Sequence, residues 1–345
     1  MTKPKIITTG GAGYIGSHTA VALQEAGFEV VLMDNLVNSS ADVIHRIGRI
    51  TGKEPLLELV DLCDEQATKN CFSKHSDAVG IIHFAALKAV GESVAQPTRY
   101  YRNNLVSMLH VLEAMHQHNI PNLIFSSSAT VYGQPDVLPV TEQTPLQPAA
   151  SPYGQTKQMN EVMIRDAVFA GELKRAISLR YFNPVGAHPT AIIGELPLGI
   201  PNNLMPFITQ TAIGIRKELA VFGGDYDTVD GTAVRDYIHV MDLAEAHLGA
   251  LQYQLNGSQS ESYDVINLGT GLGSTVLEVI QSFEKVTGIN LNYRIVDRRP
   301  GDVAAIYANV DKAARVLHWH TQRDLDEMTR SAWAWEKYAR ETLGL

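Results

Sequence analysis

The segment Gly10-Gly11-Ala12-Gly13-Tyr14-Ile15-Gly16 directly follows a β-branched run, Lys5–Thr9, and opens a stretch with Ile15, Ala22, Leu23 and Ala26 at helical spacing. Strand, glycine turn and helix in that order constrain the fold more than any other feature. Glycines at 11, 13 and 16 permit a tight turn and let backbone N–H groups approach a pyrophosphate at a helix N-terminus. Taken alone, the same glycines also describe a plain strand-to-helix turn. Asp34 favours the nucleotide reading. It closes the next strand, 29–33, where a carboxylate can accept from both adenosine ribose hydroxyls and where a 2′-phosphate would meet like charge. The expected cofactor is therefore NAD rather than NADP.

Further runs at 56–60, 80–85, 123–127 and 176–181 read as strands buried on both faces, separated by helix-length stretches. Gly27 marks the end of the first helix. The βαβ order predicts an α/β fold, a Rossmann-type doubly wound parallel sheet with right-handed crossovers. Residues 91–119 hold one or two helices with Val106, Leu109, Val111, Leu112 and Met115 as the buried stripe. After Asn183 the texture changes, as Pro184, Pro189, Pro197, Pro201 and Pro206 punctuate an irregular stretch of the kind that carries ligands. Helices at about 205–217 and 240–254 follow, then a strand, helix and strand to Val296. The expected division is a NAD-binding Rossmann domain over 1–182 and a smaller C-terminal α/β substrate domain over 183–345. Residues of about 237–250 return to the first domain, and the site lies in the cleft.

Ser151-Pro152-Tyr153 reads as a helix start, with Ser151 at the N-cap and Pro152 at the first helical position. Tyr153 and Lys157 then share one face, with Cβ atoms ~5–6 Å apart. A positive charge near 4 Å contributes up to ~4 kcal/mol at an effective dielectric of 20, and one pKa unit is ~1.36 kcal/mol. Lysine and a cofactor pyridinium together are expected to move the phenol from ~10 toward neutrality, where it works as a general base. The spacing also fits an incidental surface pair. It gains weight from the strand ending in Ser126-Ser127-Ser128, which brings a hydroxyl to the same place.

Longer motifs run through the chain: Thr9 to His18 (TGGAGYIGSH), His83 to Ser93 (HFAALKAVGES), Ser126 to Gly133 (SSSATVYG), Arg180 to Pro189 (RYFNPVGAHP), Gly199 to Pro206 (GIPNNLMP) and Val234 to Asp242 (VRDYIHVMD). With these the chain resembles the extended short-chain dehydrogenase/reductase family, and within it the UDP-sugar 4-epimerases, over about residues 5–337. The resemblance implies interconversion of UDP-glucose and UDP-galactose by inversion at C4. A transient 4-keto sugar forms as hydride passes to, and back from, tightly bound NAD. It further implies galactose metabolism and a cytoplasmic homodimer.

Residue by residue, the resemblance makes Tyr153 the base for the 4-hydroxyl, Ser128 its positioning partner, and Lys157 the group that lowers the tyrosine pKa and binds the nicotinamide ribose. Gly10, Gly13, Tyr14, Ile15 and Gly16 belong to the cofactor loop; Asp34, Asn35, Asn38 and Ser39 to the adenosine side; Asp61 and Leu62 to the adenine. Phe84, Ala85, Lys88, Asn103, Ser126 and Tyr181 are further cofactor contacts, Lys88 also lying near the substrate phosphates. Phe182, Asn183, Asn203 and Leu204 are implied UDP-sugar contacts, with the segment from Ala220 to Phe222 at the uracil and Arg235, Arg299 and Asp302 as phosphate and ribose clamps. Arg298 reads as a surface ion pair. Ala86 replaces a glycine common in the family. Ile306 stands where a tyrosine restricts relatives to glucose and galactose and a smaller residue admits N-acetylated sugars. Its intermediate bulk implies weak activity on UDP-N-acetylhexosamines.

The alternative on the same scaffold is an NAD-dependent UDP-sugar dehydratase or decarboxylase. Dehydratase relatives place carboxylates just after the active-site Ser/Thr, where Ala129-Thr130-Val131 stands here. A non-catalytic NAD-sensing protein can dispense with the tyrosine or the lysine, and both are present.

Lys+Arg 28 against Asp+Glu 37 leaves a net charge of -9, so neither nucleic acid nor an anionic membrane is an expected partner. The two phosphate charges of a UDP-sugar must then be met locally, and arginine suits bidentate contact. Cys63 and Cys71 are too few for a disulfide framework and read as buried small hydrophobes in a reducing compartment. The start, Met1-Thr2-Lys3-Pro4-Lys5, is expected to carry no leader, and apolar runs fall short of the ~20 residues of a membrane span. His116 and His118, like His318 and His320, lack Cys, Asp or Glu at ligand spacing, so no metal is expected. Trp333 and Trp335 sit on a terminal helix that packs inward or faces a second subunit.

Overall fold

In the computed structural model, which describes residues 3–299 and 302–344, the glycine turn joins β1 (Lys5–Thr9) to α1 (Tyr14–Glu25). Met1 and Thr2, where the expected absence of a leader begins, lie outside the described residues. The chain continues through β2 (Glu29–Asp34), α2 (Asp42–Thr51), β3 (Leu56–Leu59), α3 (Glu65–Lys74), β4 (Gly80–His83), α4 (Val90–Ala95), α5 (Pro97–His118), β5 (Asn122–Ser126), α6 (Pro152–Phe169) and β6 (Arg175–Tyr181). Then come β7 (Asn183–Val185), α7 (Leu204–Ala212), β8 (Leu219–Phe222), β9 (Val234–Arg235), β10 (Tyr237–His239), α8 (Val240–Leu255) and β11 (Tyr263–Leu268). The remainder is β12 (Ser274–Thr275), α9 (Val276–Thr287), β13 (Tyr293–Val296), β14 (Ala305–Ile306), α10 (Asp311–Leu317) and α11 (Leu325–Glu341).

Seven strands pair in parallel in the order β11-β6-β5-β4-β1-β2-β3, the doubly wound arrangement expected from the βαβ order. Alternate side chains of these strands feed two apolar layers, as the two-residue period of a strand requires. Ile6, Leu32, Ile82 and Ile124 face α1, α2 and α8, while Ile7, Val31, Ile81 and Phe125 face α3, α5 and α6. Beyond Asn183, short strand pairs and α7, α9 and α11 build a third apolar cluster around Ile208, Phe283 and Met328.

Four expectations need correction. The run at 56–60 is not buried on both faces: β3 is an edge strand with Leu59 70% exposed, because no strand follows it in the sheet. Leu109 lies outside the buried stripe of α5; Met108, Val111 and Met115 form that face, and one step along a helix turns Leu109 about 100° away. The helix placed at 205–217 ends at Ala212, ahead of the left-handed turn at Gly214 (φ 85°). The strand expected in the second half, β11, pairs with β6 and completes the main sheet.

Both terminal tryptophans pack inward. Trp335 is buried with Ala187 and Ala339, and Trp333 meets Phe283 edge-on at 5.7 Å. Cys71 is buried in an apolar layer as expected, but Cys63 is half-buried and its thiol lies 3.6 Å from the Asn103 carbonyl oxygen. Burial pushes both thiols up to about 11, far from reactive thiolates.

Burial also pushes His18, His83 and His239 down to about 3 and His247 to about 4. An unfolded histidine takes its proton near pH ~6.5, so below that value the unfolded chain binds more protons than the folded one. Stability therefore falls as pH drops toward these folded values, by on the order of 1 kcal/mol per histidine for each pH unit. Urea unfolding midpoints should drop clearly between pH 7 and pH 5; equal midpoints would contradict neutral buried imidazoles.

Candidate active site

Most groups expected at the cofactor site sit at or just after the C-terminal ends of parallel strands, the edge where ligands of such sheets bind, while Asn103 comes from α5 and Tyr153 and Lys157 from α6. Gly10 is left-handed (φ 66°), and a Cβ there would lie 2.7 Å from the Ala85 backbone nitrogen; at Gly16 it would lie 2.5 Å from the Gly10 carbonyl oxygen. The turn after β1 is thus pressed against the turn after β4, and only glycine fits. Gly13 is the N-cap of α1, and no side chain caps that helix, which leaves its first N–H groups available to an anion.

Asp34 is buried at the end of β2 and braces this loop. Its Oδ2 accepts from Ala12 N at 3.0 Å, and Oδ1 accepts from Leu36 N and Ser39 Oγ, both at 2.8 Å. A carboxylate offers about four acceptor positions, so capacity for a ribose hydroxyl remains. Asn35 and Asn38 are exposed beside it. Asp61 Oδ1 accepts from Cys63 N at 2.9 Å, whereas the Leu62 side chain is buried with Phe72 and Met108 and its carbonyl accepts from His110 Nδ1, so its backbone rather than its side chain faces a ligand. Phe84 packs against His247 with ring centroids 4.8 Å apart and the planes tilted at 50°, and the Tyr14 phenol donates to Gly186 O at 2.6 Å. These residues fit NAD: a cradle that a Cβ would fill, an uncapped helix start and a carboxylate closing β2.

The chemistry-bearing groups meet where α6 crosses the end of β5. Ser151 Oγ accepts from Gly154 N at 3.1 Å and Pro152 stands at the first turn, so α6 starts where the residues predict. Lys157 is buried and donates from Nζ to Ser126 O at 2.5 Å; Nζ lies 4.8 Å from the Phe125 ring and 5.8 Å from the Tyr153 ring. Burial lowers Lys157 to about 7, partly opposed by the Glu161 carboxylate. Burial raises the Tyr153 phenol to about 12, with the hydrogen bond from Ser128 pulling it back. The expected move toward neutrality draws on Lys157 and a cofactor pyridinium together; in the chain alone, desolvation dominates and the phenol stays high. Tyr181 OH and Ser126 Oγ are hydrogen-bonded next to this pair.

Beneath the pair lies a network that residue patterns did not disclose. Glu161 accepts from Ser127 Oγ at 2.5 Å and from Arg180 Nε and Nη2 at 2.9 and 2.6 Å; Arg180 Nη1 reaches the Tyr132 hydroxyl at 3.2 Å, which donates to Asn267 Oδ1 at 2.6 Å. Tyr153, Lys157 and Glu161 recur every four residues, a stripe on one helical face that offered a signal for Glu161. Asn104 offered none: it bonds Leu87 N and O, Thr156 Oγ1 and Asn103, locking the segment before Lys88 onto α5 and α6. Asn103 thus gives one amide N–H to its neighbour.

On the substrate side, Asp302 accepts from Arg299 Nε and Nη2 at 3.1 and 2.9 Å, and Arg235 Nη2 approaches it to 4.0 Å. The Arg299 guanidinium lies 5.8 Å from the Phe222 ring, on β8 with Ala220. Arg298 pairs with Asp225 at 2.7 Å on the surface, as its reading predicted. Phe182 and Ile306 are buried in one cluster with Val131 and Tyr132, and Asn183 is exposed at the head of β7. Asn203, just ahead of Leu204 and α7, meets Lys88 on a residue the sequence did not single out, Glu195.

The family profile described as GDP-mannose 4,6 dehydratase matches residues 7–332. A UDP-glucose 4-epimerase of Bacillus subtilis (strain 168) is 51% identical over 331 residues, covering 96% of each chain. One from Bos taurus is 48% identical over 339 residues, again 96% of each. The chain belongs to the UDP-glucose 4-epimerase family. Among solved structures of the family, the Bifidobacterium longum enzyme in complex with NAD+ and UDP superposes with a TM-score of 0.92 at 46% identity, over 96% of this chain and 98% of that one. The Stenotrophomonas maltophila enzyme with bound NAD and formylated UDP-arabinopyranose reaches 0.94 at 46% identity, over 98% and 99%. Family membership explains why the glycine cradle and the Tyr153–Lys157 pair occur in one chain.

Proposed function

We propose that this chain interconverts UDP-glucose and UDP-galactose with NAD as a resident cofactor, within galactose metabolism. The observation that carries the reading is the Tyr153 ring with the buried Lys157 Nζ 5.8 Å away, at the same sheet edge as the glycine cradle, with Ser128 lowering the phenol's proton affinity. Gly10 to Gly16, Asp34 and Lys157 would hold NAD. When bound, NAD accepts a hydride from the sugar and returns it.

The chain's own groups manage the proton and the geometry. Tyr153, as its phenolate, takes the 4-hydroxyl proton at the phenolic oxygen and gives it back to the product hydroxyl, while Ser128 holds both oxygens in line. Lys157, protonated below about pH 7, is a positive charge beneath that ring. Arg235 and Arg299 are the anchor for the diphosphate end, Asp302 and Phe222 lying beside them. A firm hold on the nucleotide and a loose one on the hexose let the 4-keto sugar present its other face. The turn after Ser128 carries Ala129, Thr130, Val131 and Tyr132, with no carboxylate to drive loss of water.

We also propose the division of labour at about residue 182, with 237–250 and β11 serving the cofactor half. A cytoplasmic homodimer completes the proposal. Leu109, Met159 and Val162, exposed on α5 and α6, support self-association. The two cysteines favour a reducing compartment, and no helix among the described residues is long and apolar enough to cross a membrane.

Purified protein, denatured, should release NAD, and the native protein should equilibrate UDP-galactose with UDP-glucose without added cofactor. Ile306, buried against Phe182, should keep kcat/KM for UDP-N-acetylhexosamines at least about tenfold lower, since excluding an N-acetyl group from a tight pocket costs over ~1.4 kcal/mol. Stoichiometric NAD consumption would overturn the reaction; equal kcat/KM for both sugar pairs would overturn the selectivity.

A further inference from the structure

The loop joining β7 to α7 carries a carboxylate that none of the roles above uses. Glu195 follows Gly194, where a Cβ would lie 2.3 Å from the Trp335 indole, and the Glu195 carbonyl oxygen accepts from Trp335 Nε1 at 2.8 Å. Its backbone is thus pinned to α11, and its side chain is 13% exposed. Oε1 accepts from Asn203 Nδ2 at 2.6 Å and from Lys88 Nζ at 3.3 Å. Lys88 belongs to the segment after β4, Asn203 to the start of α7, so one oxygen ties together two distant parts of the chain. The Tyr14 phenol, on the glycine turn, feels the same negative charge.

Asn203 adds an independent sign. It is the N-cap residue of α7, where an asparagine ordinarily accepts from the first-turn backbone, yet it makes no such bond. Its amide is turned away from its own helix toward Glu195.

We propose that Glu195 is a positioning residue for the UDP-sugar, holding Lys88 and Asn203 in place before the nucleotide sugar arrives. This rests on the reading that those two residues touch the substrate. A carboxylate only accepts, so it fixes which end of the Asn203 amide faces it and leaves the amide oxygen for a ribose or sugar hydroxyl. Lys88 has three donors, and one bond to Glu195 leaves two for a diphosphate oxygen. Two mobile side chains are thereby ordered in advance, and binding need not order them.

The test compares Glu195→Ala and Glu195→Gln with the wild-type holoenzyme, by calorimetric titration with UDP and by kinetics on UDP-galactose. Loss of bonds to a charged acceptor should raise the Kd of UDP and the KM of UDP-galactose about tenfold in Glu195→Ala, with kcat within about twofold. Glutamine keeps an acceptor for Asn203 and should bring both back to within about threefold of wild type. Unchanged or lowered Kd and KM in Glu195→Ala overturn the proposal, as does a fall in kcat alone. Wild-type protein that binds no UDP overturns the underlying reading, and the proposal with it.

Discussion

Tyr153→Phe lowers kcat for UDP-galactose about 10³-fold and leaves UDP affinity within about twofold. The phenolic oxygen is the only part removed, the atom whose proton affinity Ser128 pulls down. A phenyl ring fills the same space on α6, so Lys157 keeps its bond to Ser126 O and the helix keeps its Ser151 cap. The proposed diphosphate anchors, Arg235 and Arg299, lie elsewhere in the chain. Stopped and steady-state assays beside a UDP titration separate the two effects. A variant with wild-type kcat would remove Tyr153 as the base; a large loss of UDP affinity would place the tyrosine in binding instead.

Arg180→Leu should cost about 3–5 kcal/mol of stability in urea unfolding, because removing one member of a buried ion pair strands the other. Arg180 and Glu161 are each 6% exposed on their side chains, and Arg180 is the cation bonded to that carboxylate through two nitrogens. The pair also sets the catalytic end of β5, since Glu161 accepts from Ser127 Oγ beside Ser128. Coupled loss of stability and turnover is therefore expected. Replacing both partners, Glu161→Leu with Arg180→Leu, should recover part of the stability, as apolar pairs of similar volume often do. A single variant as stable as wild type would mean that the carboxylate finds another partner or a proton.

Where sequence and structure agree, the reason is local. Gly10 to Gly16 need only β1 and α1 on either side, and Tyr153 with Lys157 need only one helix begun by Ser151 and Pro152. Asp34 follows because β2 must end where β1 ends in a parallel pair. Family motifs extended this to Arg235 and Arg299, the expected clamps, which the fold brings together at Asp302. Sequence reasoning misjudged Leu59 and Leu109, whose burial depends on what lies beyond an edge strand and behind a helix, and neither is written in their neighbours.

Residue spacing alone determined the strand–turn–helix cradle, the acidic end of β2 and the one-faced tyrosine and lysine, because backbone geometry sets the distance between residues a few positions apart. Tertiary structure decided that β11 closes the main sheet, that Glu161 finds Arg180 and Asn104 finds Leu87, and that Glu195 gathers Lys88 and Asn203. It also decided the proton affinities of Tyr153 and Lys157, since these follow from how much water the folded chain removes around each group.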